Sequence, residues 1–184
     1  MPRRKLDQYF TPEAAVTELL ARAPIISPHH IVLEPCSGMG SIAVPLICHG
    51  CSVLTNDVDP AMPADEHADM TLEENWARHE VDWFVSNPPF SKAHIIVPYA
   101  VRYARIGAAM LLRLSFLEPT EDRQPRGEFL ERRPPDMQIV LPRISFTGDG
   151  KTDSVTCAWF VWLKEMGQPF LVNTPPIQVV RRAR

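Results

Sequence analysis

Four short apolar runs, set apart by stretches of helical spacing, constrain this chain more than any other feature. They lie at 31–33 (Ile-Val-Leu), 52–55 (Ser-Val-Leu-Thr), 81–85 (Val81-Asp82-Trp83-Phe84-Val85) and 108–114. All four read as strands, and those at 31–33 and 108–114, which stay apolar instead of alternating, as buried ones. Before the first run, Val16, Leu19, Leu20 and Ala23 fall at i, i+3, i+4 and i+7, one apolar helical face. Thr11-Pro12 precedes them, a hydroxyl cap followed by proline at the first helical position. The segment 38–49 reads as a turn and a helix closed by Gly50, with Pro45 making that helix kink or begin late. A polar helix or irregular stretch fills 56–80, and 93–104 has helical apolar spacing interrupted by Pro98. Strands alternating with helices predict an α/β fold with a parallel sheet and helices on both faces.

The pattern changes after the fourth run. Residues 115–136 are charged and proline-rich, with only Phe129 and Leu130 to bury, and are expected to form a surface excursion with one short helix. Within 137–163, the runs 137–141 and 155–163 read as strands joined by a glycine-containing connection, hence a C-terminal antiparallel hairpin. The tail 164–184 shows no clear periodicity. With 184 residues, 45% hydrophobic and 22% charged, a single domain over 1–184 with a sizeable core is expected. No run of about 18 apolar residues suggests a membrane span, and the basic start Met1-Pro2-Arg3-Arg4-Lys5 lacks the apolar stretch of a secretory signal. Cys36, Cys48, Cys51 and Cys157 have no metal-ligand spacing, which predicts no metal and suits a reducing cytoplasm. A net charge of −3 argues against a large nonspecific nucleic-acid footprint but leaves room for a local one. Basic residues gather at both termini and in 123–133.

The third strand ends in Ser86-Asn87-Pro88-Pro89-Phe90. Each proline fixes φ and removes an N–H, so neighbouring carbonyls are left to accept from something else. Residues before proline are pushed to extended geometry, which holds the turn open. Asn87 adds a side-chain carbonyl and Phe90 a flat face. Such a turn can hold an amino group by two acceptors and stack on the ring that carries it. The first strand ends in Glu34-Pro35-Cys36-Ser37-Gly38-Met39-Gly40, where Gly38 and Gly40 let a backbone come close to a ligand. Alone, 38–43 also satisfies the dinucleotide pattern G-x-G-x-x-A, with Asp57 about 20 residues on, so a nicotinamide cofactor and a purely structural turn both stay open. Glu34 suits a cationic group better than a pyrophosphate. Asp57, with a free carboxylate at the end of the second strand, suits a ribose diol. Asp69 could accept from an adenine amino group while Met70 packs on the ring, or be a plain surface carboxylate.

These residues resemble, in motif order and spacing across 7–114, the class I S-adenosylmethionine-dependent amino-methyltransferases, above all the DNA adenine-N6 methyltransferases. Gln8-Tyr9-Phe10-Thr11-Pro12 looks like the family's N-terminal cofactor motif, with Gln8, Tyr9 and Thr11 at the methionine end. Glu34, Pro35, Cys36, Gly38 and Gly40 look like its glycine loop, Asp57-Val58 like the ribose/adenine segment, and Asp69-Met70 like the adenine pair. Asn87-Pro88-Pro89-Phe90 looks like the catalytic motif, with Phe90 where tyrosine or tryptophan is commoner.

The resemblance implies a Rossmann-like class I methyltransferase fold, with a mostly parallel seven-stranded sheet, a C-terminal antiparallel hairpin and helices on both faces. It also implies S-adenosylmethionine as cofactor, a flipped adenine in DNA as substrate, and direct in-line methyl transfer to its N6. No separate target-recognition domain is visible, as in the small adenine methyltransferases of phages and prophages. That leaves sequence preference short, relaxed or supplied by a homodimer. Arg113, Arg143 and Lys151 are candidates for touching phosphate, or plain solvated side chains. Adenine in RNA or a glutamine amide on a protein are alternative substrates. A nicotinamide-dependent oxidoreductase or a catalytically silent nucleotide-binding module are alternatives of another class.

Overall fold

The computed structural model of the chain describes residues 11–118, 125–143, 155–164 and 175–180. The order of elements is α1 (Glu13–Arg22), β1 (Ile31–Glu34), α2 (Ala43–His49), β2 (Ser52–Thr55), α3 (Glu74–Ala77), β3 (Trp83–Ser86), α4 (Ala93–Tyr103) and β4 (Gly107–Arg113). A single 3-10 turn (Leu114–Leu117) follows, then α5 (Pro125–Arg132), β5 (Met137–Val140), β6 (Cys157–Leu163) and β7 (Ile177–Val179). The strands form one seven-stranded sheet in the order β2-β1-β3-β4-β6-β5-β7. The first four run parallel, β6 is antiparallel to β4 and to β5, and β7 lies parallel to β5.

The inner strands β1, β3, β4 and β6 are apolar on both faces because both faces are covered, whereas β2, at the edge of the sheet, is only half-buried. Val32, Trp83, Val85, Ala109, Leu111, Trp159 and Val161 pack with Val16, Leu19 and Leu46 of α1 and α2. Their sequence neighbours Leu33, Phe84, Ala108, Met110, Phe160 and Trp162 pack on the other side with Trp76 of α3 and Ile96, Val97 and Ala100 of α4. This is strand alternation with two apolar phases instead of one. Phe129 and Leu130 of α5 extend the second cluster, Phe129 lying 6.0 Å from Trp162 between ring centroids. Three buried indoles also tie layers together, Trp159 Nε1 donating to Ala15 O at 2.7 Å, Trp76 Nε1 to Met70 O at 2.9 Å and Trp162 Nε1 to Arg133 O at 2.9 Å.

The two prolines inside helices act differently. α2 begins at Ala43, so Pro45 falls in the first turn, where its missing N–H would have had no intrahelical partner. α4 runs unbroken through Pro98. Gly50 closes α2 at φ 102°, a left-handed conformation that glycine adopts without penalty.

One expectation is corrected. Thr11 does not cap α1; the residue before the helix is Pro12, with no side-chain cap bond. The seventh strand of the expected sheet comes from the tail, where Ile177–Val179 pairs with β5 although no periodicity marks it. Ile177 and Val179 are 58% and 64% exposed, so this edge strand is held by its backbone ladder and carries no burial pattern to read.

Gly107, at the start of β4, has a close-approach requirement. A Cβ there would meet the Trp162 carbonyl and stand 2.8 Å from the Trp83 ring. Gly107→Ala is expected to cost about 1–3 kcal/mol, the usual range for overpacking a tight core. Urea unfolding with an unchanged m-value would measure it.

Candidate active site

The order β2-β1-β3 puts a crevice at the carboxyl ends of β1 and β3, where the sheet is wound outward in both directions. Open α/β sheets bind ligands at such a switch point, because the loops there diverge. The glycine loop leaves β1 on one side of it and the Asn-Pro-Pro-Phe turn leaves β3 on the other.

Glu34, the last residue of β1, is 1% exposed. One carboxylate oxygen accepts the Ala43 N–H, while Oε2 is buried without a hydrogen-bond partner among the described residues. Burial pushes its pKa well above the usual carboxylate range, opposed by the Ala43 N–H and assisted by Asp57. Cys36 is likewise pushed up, by burial first and by the Asp57 and Glu34 carboxylates after it. A buried carboxyl with an orphan oxygen beneath a glycine loop favours a cation and repels a pyrophosphate. Gly38 and Gly40 have φ of 51° and 77°, and a Cβ on either would meet nothing within 4 Å. Backbone conformation, not crowding, therefore calls for glycine here.

Asp57 is not the free carboxylate expected. Its Oδ2 accepts from Gly38 N at 2.8 Å and its Oδ1 from Asp59 N at 2.9 Å. It fixes the glycine loop to the end of β2, with lone pairs on both oxygens still able to accept from a diol. Val58 beside it is 52% exposed. Asp69 is exposed, and its carboxyl is held below the usual range by the Thr71 N–H and hydroxyl at 2.9 and 2.7 Å. Met70 is 3% exposed in the core against Trp76, so its side chain does not present a face for adenine. Only the Asp69 half of that pair faces solvent.

Sequence reasoning gave Asn56 no role, yet it ties these loops together. Fully buried, it donates from Nδ2 to Pro35 O and Ala68 O, both at 3.0 Å, and accepts from Ala68 N at 2.8 Å. Its backbone joins Glu34 O and Ser37 N. Asn56→Ala would leave these groups unsatisfied, each at about 1–3 kcal/mol if water does not enter. The expected result is a lower Tm, measured by scanning calorimetry.

Across the crevice, Asn87 Nδ2 donates to Thr11 Oγ1 at 3.1 Å, joining residues 76 apart in the chain. Thr11 is 6% exposed, so this bond is shielded from water. An amide whose nitrogen is held on one side presents its oxygen on the other. The Pro89 carbonyl accepts from Lys92 N at 2.8 Å, whereas among the described residues the Pro88 carbonyl has no backbone donor. Phe90 is half-buried, and the Arg113 guanidinium lies over its ring, Cζ 4.4 Å from the centroid.

Of the expected site residues, Thr11, Glu34, Pro35, Cys36, Gly38, Gly40, Asp57, Asn87, Pro88, Pro89, Phe90 and Arg113 come together at this edge of the sheet. Arg143 is exposed just beyond β5. Val140 pairs with Ala158 next to the Arg113–Cys157 pair, so the chain leaves β5 at that same edge. Gln8, Tyr9 and Lys151 lie outside the described residues. Among the described residues no group of three or more His, Cys, Asp or Glu is placed to hold a metal, and no helix is long and apolar enough to cross a membrane.

Solved structures of similar shape decide the fold. One is a protein assigned as the modification subunit of a type I restriction enzyme from Vibrio vulnificus, with TM-score 0.65, 14% identity, and 85% of this chain and 44% of that one covered. The fold is that of the class I methyltransferases. A protein assigned as an RNA methyltransferase from Pyrococcus horikoshii matches with TM-score 0.64 at 17% identity, over 86% of this chain and 87% of that one. Magnesium protoporphyrin IX methyltransferase from Synechocystis, solved with bound S-adenosylhomocysteine, matches with TM-score 0.56 at 10% identity, over 83% of each chain. The chain thus spans less than half of the restriction-enzyme subunit. No protein-family model and no curated protein matches the sequence. The three neighbours carry names of different substrate classes, so this methyltransferase fold does not by itself choose one.

Proposed function

We propose that the protein is an S-adenosylmethionine-dependent methyltransferase acting on an exocyclic amino group, adenine N6 in DNA. The observation that carries this reading is the Asn87 amide held by Thr11 beside the Pro88 carbonyl, across the switch point from the buried Glu34. The residues present fit the cofactor. The orphan Glu34 Oε2 would take its ammonium, Asp57 its ribose diol, Val58 its adenine face and Asp69 the adenine amino group. S-adenosylmethionine, when bound, supplies a methyl group on a positively charged sulfur.

The chain's own residues have three tasks. Asn87 Oδ1 and the Pro88 carbonyl accept the two amino hydrogens of the target, which withdraws the nitrogen lone pair from the ring and aims it. Because Thr11 fixes the amide beforehand, little reorganisation remains for the reacting complex. Phe90 replaces the stacking that a flipped base loses. The two acceptors bond a neutral NH₂, whose proton becomes acidic only after methylation, so no general base is needed first.

Labelled methyl transfer offered to DNA, RNA and protein in parallel, with nucleoside analysis of the product, tests the reading. N6-methyladenine in DNA is the expected product. A label confined to protein, or calorimetric binding of a nicotinamide cofactor in place of S-adenosylmethionine, would overturn it. The match over most of an assigned RNA methyltransferase is the reason to include structured RNA, and N6-methyladenine there alone would move the substrate to RNA.

A further inference from the structure

The cleft beside Phe90 holds two guanidiniums that methyl transfer itself does not use. It has a volume of about 180 Å³ and is lined by Phe90 and Ser91, by Arg113 at the end of β4, by Ser115 and Phe116 just past it, and by Arg126 from the first turn of α5. Among the described residues, no carboxylate lines the cleft and neither arginine is ion-paired. Arg113 lies against the Phe90 ring. Arg126 donates from Nη2 to the Glu118 carbonyl at 2.9 Å and lies 5.8 Å from the Phe116 centroid, while its Nε is buried with no partner among the described residues. Within those residues the two charges meet rings and one carbonyl, and with two hydroxyls and the Arg126 Nε–H they make the donor set of an oxyanion site.

We propose that this cleft is an anion subsite that takes a backbone phosphate beside the target nucleotide, with Arg113 and Arg126 as its ligands. The proposal rests on the nucleic-acid reading above and deepens it, since a neutral glutamine side chain would leave both charges unmatched. A phosphate offers Arg113 charge-assisted, bidentate bonds stronger than its contact with the ring. Arg113 then turns from Phe90 to the phosphate and clears the ring face it covers. Capture of the backbone and stacking of the flipped base become one event.

The test is binding of a fluorescein-labelled, adenine-containing oligonucleotide to the protein saturated with S-adenosylhomocysteine, across a salt series. Arg126→Gln is expected to weaken binding about tenfold near 0.1 M salt and to lower the slope of log affinity against log salt by about 1. Arg126→Lys should keep the slope, and unchanged S-adenosylhomocysteine binding shows that the variants are folded. An oligonucleotide with one methylphosphonate beside the target adenine should reproduce the loss in the wild type and add nothing in Arg126→Gln. A folded Arg126→Gln with the wild-type slope overturns the subsite even if DNA is methylated. If no nucleic acid is methylated, the functional reading is what fails, and inorganic phosphate judges the cleft by itself. Thermal stabilisation by phosphate in the wild type but not in Arg126→Gln supports it; equal stabilisation in both, or none in either, overturns it.

Discussion

Asn87→Ala is expected to lower kcat by about 10²–10³-fold, the usual loss when one preorganised polar group is taken from a reacting centre. Binding of S-adenosylhomocysteine should hardly change, because Asn87 lies on β3's side of the crevice and the glycine loop is held by Asp57 and Asn56. The target NH₂ would keep one acceptor, the Pro88 carbonyl, and lose the one that fixes its lone-pair direction. Thr11→Val separates positioning from contact. It removes the hydroxyl that holds the Asn87 nitrogen at 3.1 Å and leaves the amide in place. A loss of about 10–100-fold in kcat, with KM for the cofactor unchanged, is expected from such a misorientation. Single-turnover kinetics with labelled cofactor would measure both, and near-normal turnover in Asn87→Ala would end the assignment.

The second large effect belongs to Glu34. Its folded-state pKa is raised well above 4.5, so between 4.5 and that raised value the folded protein holds a proton that the unfolded chain has lost. Stability of the ligand-free protein should therefore fall as pH rises through that window, and level off above it. Glu34→Gln should remove this part of the pH dependence. An ammonium placed at the orphan Oε2 reverses the balance by favouring the carboxylate, so cofactor binding should release a proton wherever free Glu34 is protonated. Calorimetry of S-adenosylhomocysteine in buffers of different ionisation enthalpy reads that release directly. Loss of proton release in Glu34→Gln, with affinity lowered roughly 10-fold or more for a charged hydrogen bond removed, is the expected pair of results. Proton release unchanged in Glu34→Gln would show that the cofactor's ammonium sits elsewhere.

The residues that fold the sheet were readable because their burial is local in pattern. A strand covered on both faces is a short unbroken apolar run, and β1, β3, β4 and β6 are close to that form, whereas β2 lies at the sheet edge with Ser52 and Leu54 exposed. The late start of α2 followed from the covalent chemistry of Pro45. Long-range roles could not be read in the same way. Thr11 stood next to a proline at a helix start, where a hydroxyl is ordinarily a cap, and only the approach of β3 turned it toward Asn87. Met70 looked like half of an adenine pair until Trp76 and the second core cluster took its side chain inward. Asn56 had no signal at all, since its partners are backbone groups of two loops that only tertiary structure brings together.

Taken alone, the sequence determined the strand-and-helix alternation, the glycine loop and the Asn-Pro-Pro-Phe turn on which the proposed chemistry rests. Those are properties of φ restriction, apolar periodicity and side-chain type, which travel with the residues. The tertiary structure decided which groups are already engaged and which stay unsatisfied. It gave both Asp57 oxygens to backbone N–H groups, left Glu34 Oε2 without a partner among the described residues, and set Arg113 on Phe90. Those outcomes depend on which loops meet at the carboxyl edge of the sheet, and no local rule encodes that meeting.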